Sequence, residues 1–455
     1  MGPSTSRVRC LAGLFTGRNL GDIDTFYSIP YSRISDKFAD AELLDAGEVD
    51  ATQPATRDVA LTVTHPAGLA AGSDAPVVVF IHGGRYEEGH HDDPELRGDS
   101  FARSGCVYVS VGYRLGFAGF APFGDQLPSQ YRGVTDCLIA LEWVQRNIEY
   151  FGGDPTNVTL IGQSAGAGIA LWLARKDHYR GAFRRVIALS PGYPRQGFAQ
   201  REWALRVASG RFNAARALPQ LSARTYRRFR TLYLDDIALG PFPFDPRELA
   251  SVPVLVSSTR EEMYLDPAGR AIDRRGLAPL LVRTHGRRMG CLNPSEYLES
   301  MLKEDPARMY GRMLGDSVIR RWAAATAEYA NGPVWMMEFT GDESLPAHHC
   351  VDLPLMFHNL HTRPARVAEL LGPNAVETKT SLSDHVHGLV VSVAQGAPPP
   401  WPAYTSDERI CYSIALTGET TLTQDPLKLV RTTFRLPGIN AAQGGFSANA
   451  GKPLI

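Results

Sequence analysis

From residue 59 onward, short β-branched runs bounded by Gly, Pro or charged residues alternate with longer stretches of helical period. Val59–Thr64 alternates apolar and polar residues, which predicts a half-buried, antiparallel strand at the start of a sheet. Val77–Ile81, Val107–Val111, Val158–Ile161, Val186–Leu189, Val252–Val256 and Val334–Phe339 are apolar almost throughout and predict buried strands. Between Asp136 and Phe151 the period changes. Cys137, Leu141, Val144 and Ile148 recur at four, three and four residues and share one face of a helix. Gly152-Gly153-Asp154-Pro155 ends that helix, because glycine takes the left-handed cap and proline cannot continue it. The small-residue run Ala165–Ala174 predicts another helix. Strands joined by helical crossovers imply an α/β fold, with a mostly parallel sheet covered on both faces.

Residues 200–246 and 266–330 are rich in Arg and Ala or lack a clear strand, and predict helical insertions around a site. The stretch 438–455 is small and Gly/Ala-rich, which predicts a mobile tail. The expected organisation is one domain over 1–455 carrying these additions.

With 47 Lys and Arg against 48 Asp and Glu, the net charge is −1. No global field recruits nucleic acid or an anionic membrane, so neither is an expected partner. Met1–Arg7 lacks the apolar core of a secretory signal, and no run approaches the roughly 20 apolar residues of a membrane helix. A cytoplasmic home is expected, although a processed secreted form fits the same sequence. The six cysteines are scattered and form no Cys-x-x-Cys pair, so zinc and dithiol chemistry have no support and no cofactor or metal is expected. His90-His91-Asp92-Asp93 has adjacent ligand types that converge poorly on one ion, and reads as a solvated loop.

Gly162-Gln163-Ser164-Ala165-Gly166 sits between the strand Val158–Ile161 and the helix that follows. Gly-x-Ser-x-Gly in that context is a nucleophile elbow, a turn so tight that the serine is strained and its hydroxyl stands above the sheet. A serine hydroxyl is a poor nucleophile and needs a base, a group that orients the base, and oxyanion donors. His82-Gly83-Gly84-Arg85, directly after Val77–Ile81, offers donors whose backbone N–H groups approach the same point as that of Ala165. His348 and His349 follow the strand Val334–Phe339, where a base belongs, and sequence order does not separate them. Glu261 and Glu262 follow Val252–Val256 and fit the order serine, acid, histidine.

The stretch Ala140–Ile148, continuing through Phe151-Gly152-Gly153-Asp154-Pro155 to Gly162-Gln163-Ser164-Ala165-Gly166-Ala167, resembles the signature of the type-B carboxylesterase family. That α/β-hydrolase branch includes cholinesterases, bacterial para-nitrobenzyl-type esterases and non-catalytic adhesion relatives. Tyr113-Arg114-Leu115-Gly116, Ile29-Pro30-Tyr31 and Trp401-Pro402-Ala403-Tyr404 match as well, so the likeness runs from about residue 12 to 435. The resemblance implies an α/β-hydrolase fold with Ser164 as nucleophile, Glu262 as the orienting acid and His349 as base. It places the oxyanion donors at Gly84, Arg85 and Ala165.

Four departures stand out. Arg85 replaces a glycine or alanine; its side chain either draws an acidic substrate or points at solvent. Gln163 replaces the usual glutamate, which removes a charge without touching the nucleophile. Arg57-Asp58-Val59-Ala60-Leu61 lacks the cysteine of an early disulfide, which implies an intracellular enzyme. The chain is also shorter than typical members after Gln200, so the family's acyl pocket does not transfer. The expected function is a serine carboxylesterase acting on a small-molecule ester as a monomer or small homo-oligomer. An acyltransferase, cyclase or amidase with the same triad, and a non-catalytic binding protein on the same scaffold, are the alternatives.

Overall fold

The structure, a computed structural model, describes residues 4–121, 130–212, 222–231 and 237–436. The expected tail 438–455 and parts of the 200–246 segment lie outside the described residues.

The described residues form fifteen strands: β1 (Thr5–Cys10), β2 (Gly13–Asn19), β3 (Ile23–Ile29), β4 (Ser32–Arg33), β5 (Glu42–Leu43), β6 (Gly47–Asp50), β7 (Leu61–Pro66), β8 (Ala75–Ile81), β9 (Val107–Val111), β10 (Gly153–Gln163), β11 (Arg185–Leu189), β12 (Val254–Thr259), β13 (Val334–Thr340), β14 (Ile410–Ala415) and β15 (Thr420–Gln424). Thirteen of them make one sheet in the order β1-β2-β3-β7-β9-β8-β10-β11-β12-β13-β14-β15, with β6 beside β2. The run from β9 to β14 is parallel. Antiparallel strands extend it at both ends, through β7 on one side and β15 on the other. This is the α/β-hydrolase arrangement, a mixed and mostly parallel central sheet flanked by helices.

The parallel strands read as continuous apolar runs because both their faces are buried. Along β8, Val77, Val79 and Ile81 join the core shared with the helices Arg132–Asn147 and Ala165–Leu173. Val78 and Phe80 join the core on the opposite face, with Leu382, Val386 and Leu389 of the helix Ala375–Ala394. Helix Arg132–Asn147 passes through one turn of tighter helix, Ile148–Phe151, and stops at Gly152, whose φ of 81° is left-handed. Strand β12 begins two residues later than expected and runs to Thr259. Pro253 has no N–H to give to a ladder, whereas Val254 N–H donates to Pro333 O.

Among the described residues, seven helices fall in the segments expected to be helical. Phe198–Ser209 and Ala223–Thr231 fall in the first, and Pro267–Arg274, Ala278–His285, Pro294–Glu304, Met309–Gly315 and Arg321–Tyr329 in the second. Among the described residues no helix is long and apolar enough to cross a membrane.

His91 corrects the sequence reading of its segment. It is 2% exposed, within hydrogen-bonding distance of Ser28 and close to Asp92, which also accepts from Ser28 and Thr62. His91 and the Asp92 carboxylate form a buried polar knot, and not a solvated loop, while His90 and Asp93 beside them are half-buried. His90 and His91 stack ring on ring, 4.1 Å between centroids, and a Cβ on Gly112 would lie 2.5 Å from His91 Nδ1, so that nitrogen faces packed backbone.

Candidate active site

The ends of four strands of the parallel run, β8, β10, β12 and β13, bring the candidate residues together. Ser164 follows β10, His82–Arg85 follows β8, Glu262 follows β12 and His349 lies on the loop after β13.

Ser164 has φ 56° and ψ −118°, a strained conformation for a side chain with a Cβ, and it is 5% exposed. Its N–H donates to Leu189 O of the neighbouring strand, and its carbonyl accepts from Gly168 and Gly192 N–H groups. The turn is possible because its flanks are glycine. A Cβ on Gly166 would overlap the Ile81 carbonyl oxygen, and one on Gly162 would overlap Gly166 O.

After β8 the chain holds three successive left-handed residues, Gly84 (φ 105°), Arg85 (φ 58°) and Tyr86 (φ 65°). Glu87 and Glu88 N–H both donate to Gly84 O, closing a tight turn. Tyr113 Oη donates to His82 O, and its ring stacks on the imidazole at 4.5 Å, which fixes the start of the turn. Burial pushes His82 down to about 4, so it stays neutral within this packing. Among the described residues the N–H groups of Gly84, Arg85 and Ala165 make no hydrogen bond, which leaves them free to serve as oxyanion donors.

Geometry separates the two histidines. His349 Nδ1 lies 2.7 Å from Glu262 Oε2, and Glu262 Oε1 accepts the Thr259 N–H at 2.7 Å. His348 is buried, with Nε2 3.1 Å from Glu369 O and its ring stacked on Tyr264. Glu261 faces away from His349 and pairs with Arg312 at 3.2 Å.

Burial lowers the proton affinity of His349, but the Cys350 sulfur and the Glu262 carboxylate beside it outweigh that effect and hold it well above the ordinary histidine value.

Three neighbours make or lack contacts here that the sequence did not reveal. The Gln163 amide nitrogen lies 3.4 Å from His349 Nε2 and 3.4 Å from Cys350 Sγ, so this residue touches the candidate base as well as flanking the serine. No hydrogen bond joins Ser164 Oγ to His349. Cys350 follows His349 directly, with φ 75°. Asp352, three residues on, is 1% exposed, and neither of its oxygens has a hydrogen-bond partner. Burial raises it to about 7; His349 works against the rise and Glu262 adds to it. The spacing His349-x-x-Asp352 was the available signal, but only packing shows that the acid faces inward.

A cavity of about 420 Å³ opens beside the turn, with Gly83, Gly84, Gln163 and Cys350 on one wall and Leu353, Val367 and Leu370 on another. Arg85 does not line it. Its guanidinium has no ion-pair partner among the described residues.

The carboxylesterase family profile matches residues 59–218. A probable N-octanoylanthranilate hydrolase of Rhodococcus erythropolis is 28% identical, over 91% of this chain and 98% of its own length. The para-nitrobenzyl esterase of Bacillus subtilis is 27% identical over 77% of each chain. The carboxylesterase Est55 of Geobacillus stearothermophilus superposes with a TM-score of 0.76, covering 94% of this chain and all of that one at 24% identity.

Proposed function

We propose that the chain is a serine hydrolase of carboxylic esters of the carboxylesterase kind, in which Ser164, His349 and Glu262 carry the reaction. The observation behind the assignment is the 2.7 Å contact between His349 Nδ1 and Glu262, which fixes the tautomer with the lone pair on Nε2, facing the elbow.

Ser164 Oγ attacks the ester carbonyl while His349 Nε2 takes its proton. In the structure Nε2 faces the Gln163 amide. Proton transfer requires it to turn to Ser164, and catalytic hydrogen bonds commonly tighten only around bound substrate. Glu262 stabilises the imidazolium. The N–H groups of Gly84, Arg85 and Ala165 hold the tetrahedral oxyanion, each contributing about 3 kcal/mol in the transition state. His349 then protonates the leaving alcohol, and water activated by the same base releases the acid and frees Ser164.

The substrate in this reading is a small-molecule ester, and the catalytic unit is one domain acting alone or as a small homo-oligomer. A reducing, cytoplasmic setting agrees with six cysteines that are all unpaired.

The test is a p-nitrophenyl ester series from acetate to decanoate on wild type and Ser164→Ala, with mass analysis after treatment with a serine-directed organophosphate. We expect turnover, a single adduct on Ser164, and loss of both in the variant at unchanged circular dichroism. A variant that keeps most of the activity would remove Ser164 from its role.

A further inference from the structure

The net charge of −1 is an average that hides a local imbalance. Residues 275–295 hold four arginines, Arg275, Arg283, Arg287 and Arg288, and neither Asp nor Glu. The fold adds a fifth. Phe434 bridges to Cys291, and the next residue, Arg435, donates its N–H to Gly290 O at 2.8 Å, which brings it to the turn that carries Arg287 and Arg288. All five side chains are exposed, and among the described residues none forms an ion pair.

Apolar side chains share this surface. The helix Ala278–His285 buries Ala278 and Val282 in the core and turns Leu280, Arg283 and Thr284 outward. Leu277 before it and Gly286 after it keep right-handed helical angles, so the same face continues from Leu277 to Arg287 at spacings of three and four residues. Leu277, Leu280 and Leu292 are 43%, 60% and 41% exposed. One exposed leucine is ordinary on a protein surface, whereas three among unpaired arginines form an amphipathic patch.

The carboxylates that flank the segment are engaged elsewhere. Asp273 accepts from the N–H groups of Tyr310 and Gly311, and Glu296 accepts from Asn293 at 2.6 Å. Glu299 and Glu304, on the helix Pro294–Glu304 packed against this one, are exposed and pair with none of the five arginines. Charge alone would suit any polyanion. Residues 275–295, however, contain no Phe, Tyr or Trp on which nucleobases could stack, and a phosphate backbone would leave the leucines wet. A bilayer answers both groups at once, since acidic headgroups take the guanidinium forks and the leucines enter the boundary beneath them.

We propose that the face formed by Leu277, Leu280, Arg283, Arg287, Arg288 and Arg435 docks on a bilayer surface rich in acidic phospholipid. The contact is peripheral, and salt reverses it because exposed charges are screened. It lies outside the candidate active site, so it stands whichever residues perform hydrolysis.

Co-sedimentation of the full chain with sucrose-loaded vesicles tests this, comparing phosphatidylcholine alone with phosphatidylcholine containing one-third phosphatidylglycerol. At near-physiological salt we expect binding to the mixed vesicles only. Arg283→Glu with Arg287→Glu should weaken it at least about tenfold, and Leu277→Ser with Leu280→Ser at least about threefold, both at unchanged circular dichroism. Arg7→Glu with Arg9→Glu, the same charge change at exposed positions of β1, should bind as wild type. The proposal is overturned if the mixed vesicles sediment no protein, if the β1 variant loses as much as the arginine variant of the helix, or if either variant of the helix binds as wild type. Were only the leucine variant to bind as wild type, binding of duplex DNA at the same salt would identify nucleic acid as the partner instead.

Discussion

Glu261 and Glu262 are adjacent and chemically identical, yet their surroundings give them different work. Glu262 reaches His349, whereas Glu261 turns into a charged wall against Arg312. Replacing Glu262 by Gln should lower kcat by roughly 10³- to 10⁴-fold, and Glu261→Gln should cost under about tenfold; steady-state kinetics on an activated ester measures both. Because His349 must be neutral to act as base and is held above the ordinary value of about 6.5, kcat/KM should fall as pH drops through a value above that figure. Glu262→Gln should move this acid limb to lower pH. Asp352 titrates in the opposite sense for stability. An acid raised to about 7 from about 3.9 holds its proton in the folded state where the unfolded chain has lost it. It therefore costs stability as pH rises between those values, by up to about 1.4 kcal/mol per pH unit. Asp352→Asn should raise Tm more at pH 8 than at pH 5, and equal gains at both would show that the buried carboxyl is not the cause. Ser164 was legible from its pentapeptide, but Asp352 was not, since an acid on a short helix is ordinary until its burial is known.

The elbow shows how local rules add up to an element. A strand, a helix and two glycines announce it in sequence, and the structure supplies the reason: backbone carbonyls stand where a side chain would go. Gly166→Ala places a methyl against Ile81 O and His82 O, both main-chain atoms that cannot swing aside. We expect it to cost more than about 3 kcal/mol and to lower soluble yield, read by urea unfolding. Six of the seven central parallel strands were equally legible, since burial on both faces writes an apolar run; β14, whose residues are half-buried at every other position up to Ser413, was not. The edge strands were not. In β1, Arg7 and Arg9 alternate with half-buried Val8 and Cys10, and in β15 every residue but Thr423 is exposed. Such strands are held by their neighbours more than by their own composition.

Across the molecule, the helices of residues 267–329 are tied to the sheet by charge as well as by apolar packing. Arg320 pairs with Asp316 at 2.7 Å and with Glu338 of β13 at 3.0 Å, and Tyr297 Oη donates to Asp316. All four are almost fully buried. Glu338→Ala would leave Arg320 with half its compensation, and we expect a loss of about 3–5 kcal/mol, seen as a lower unfolding midpoint. A loss below about 1 kcal/mol would mean that the network contributes little to holding the helices on the sheet. The chain's periodicities and its Gly-x-Ser-x-Gly were enough to specify a parallel α/β core and the position of the candidate nucleophile at the end of a strand, because both depend on residues close together in sequence. Folding alone decided that Gln163 touches His349, that His91 is buried, and that Arg435 comes to the turn carrying Arg287 and Arg288. Those relations join segments far apart in the chain or turn on which way a side chain faces, and backbone pattern carries no record of either.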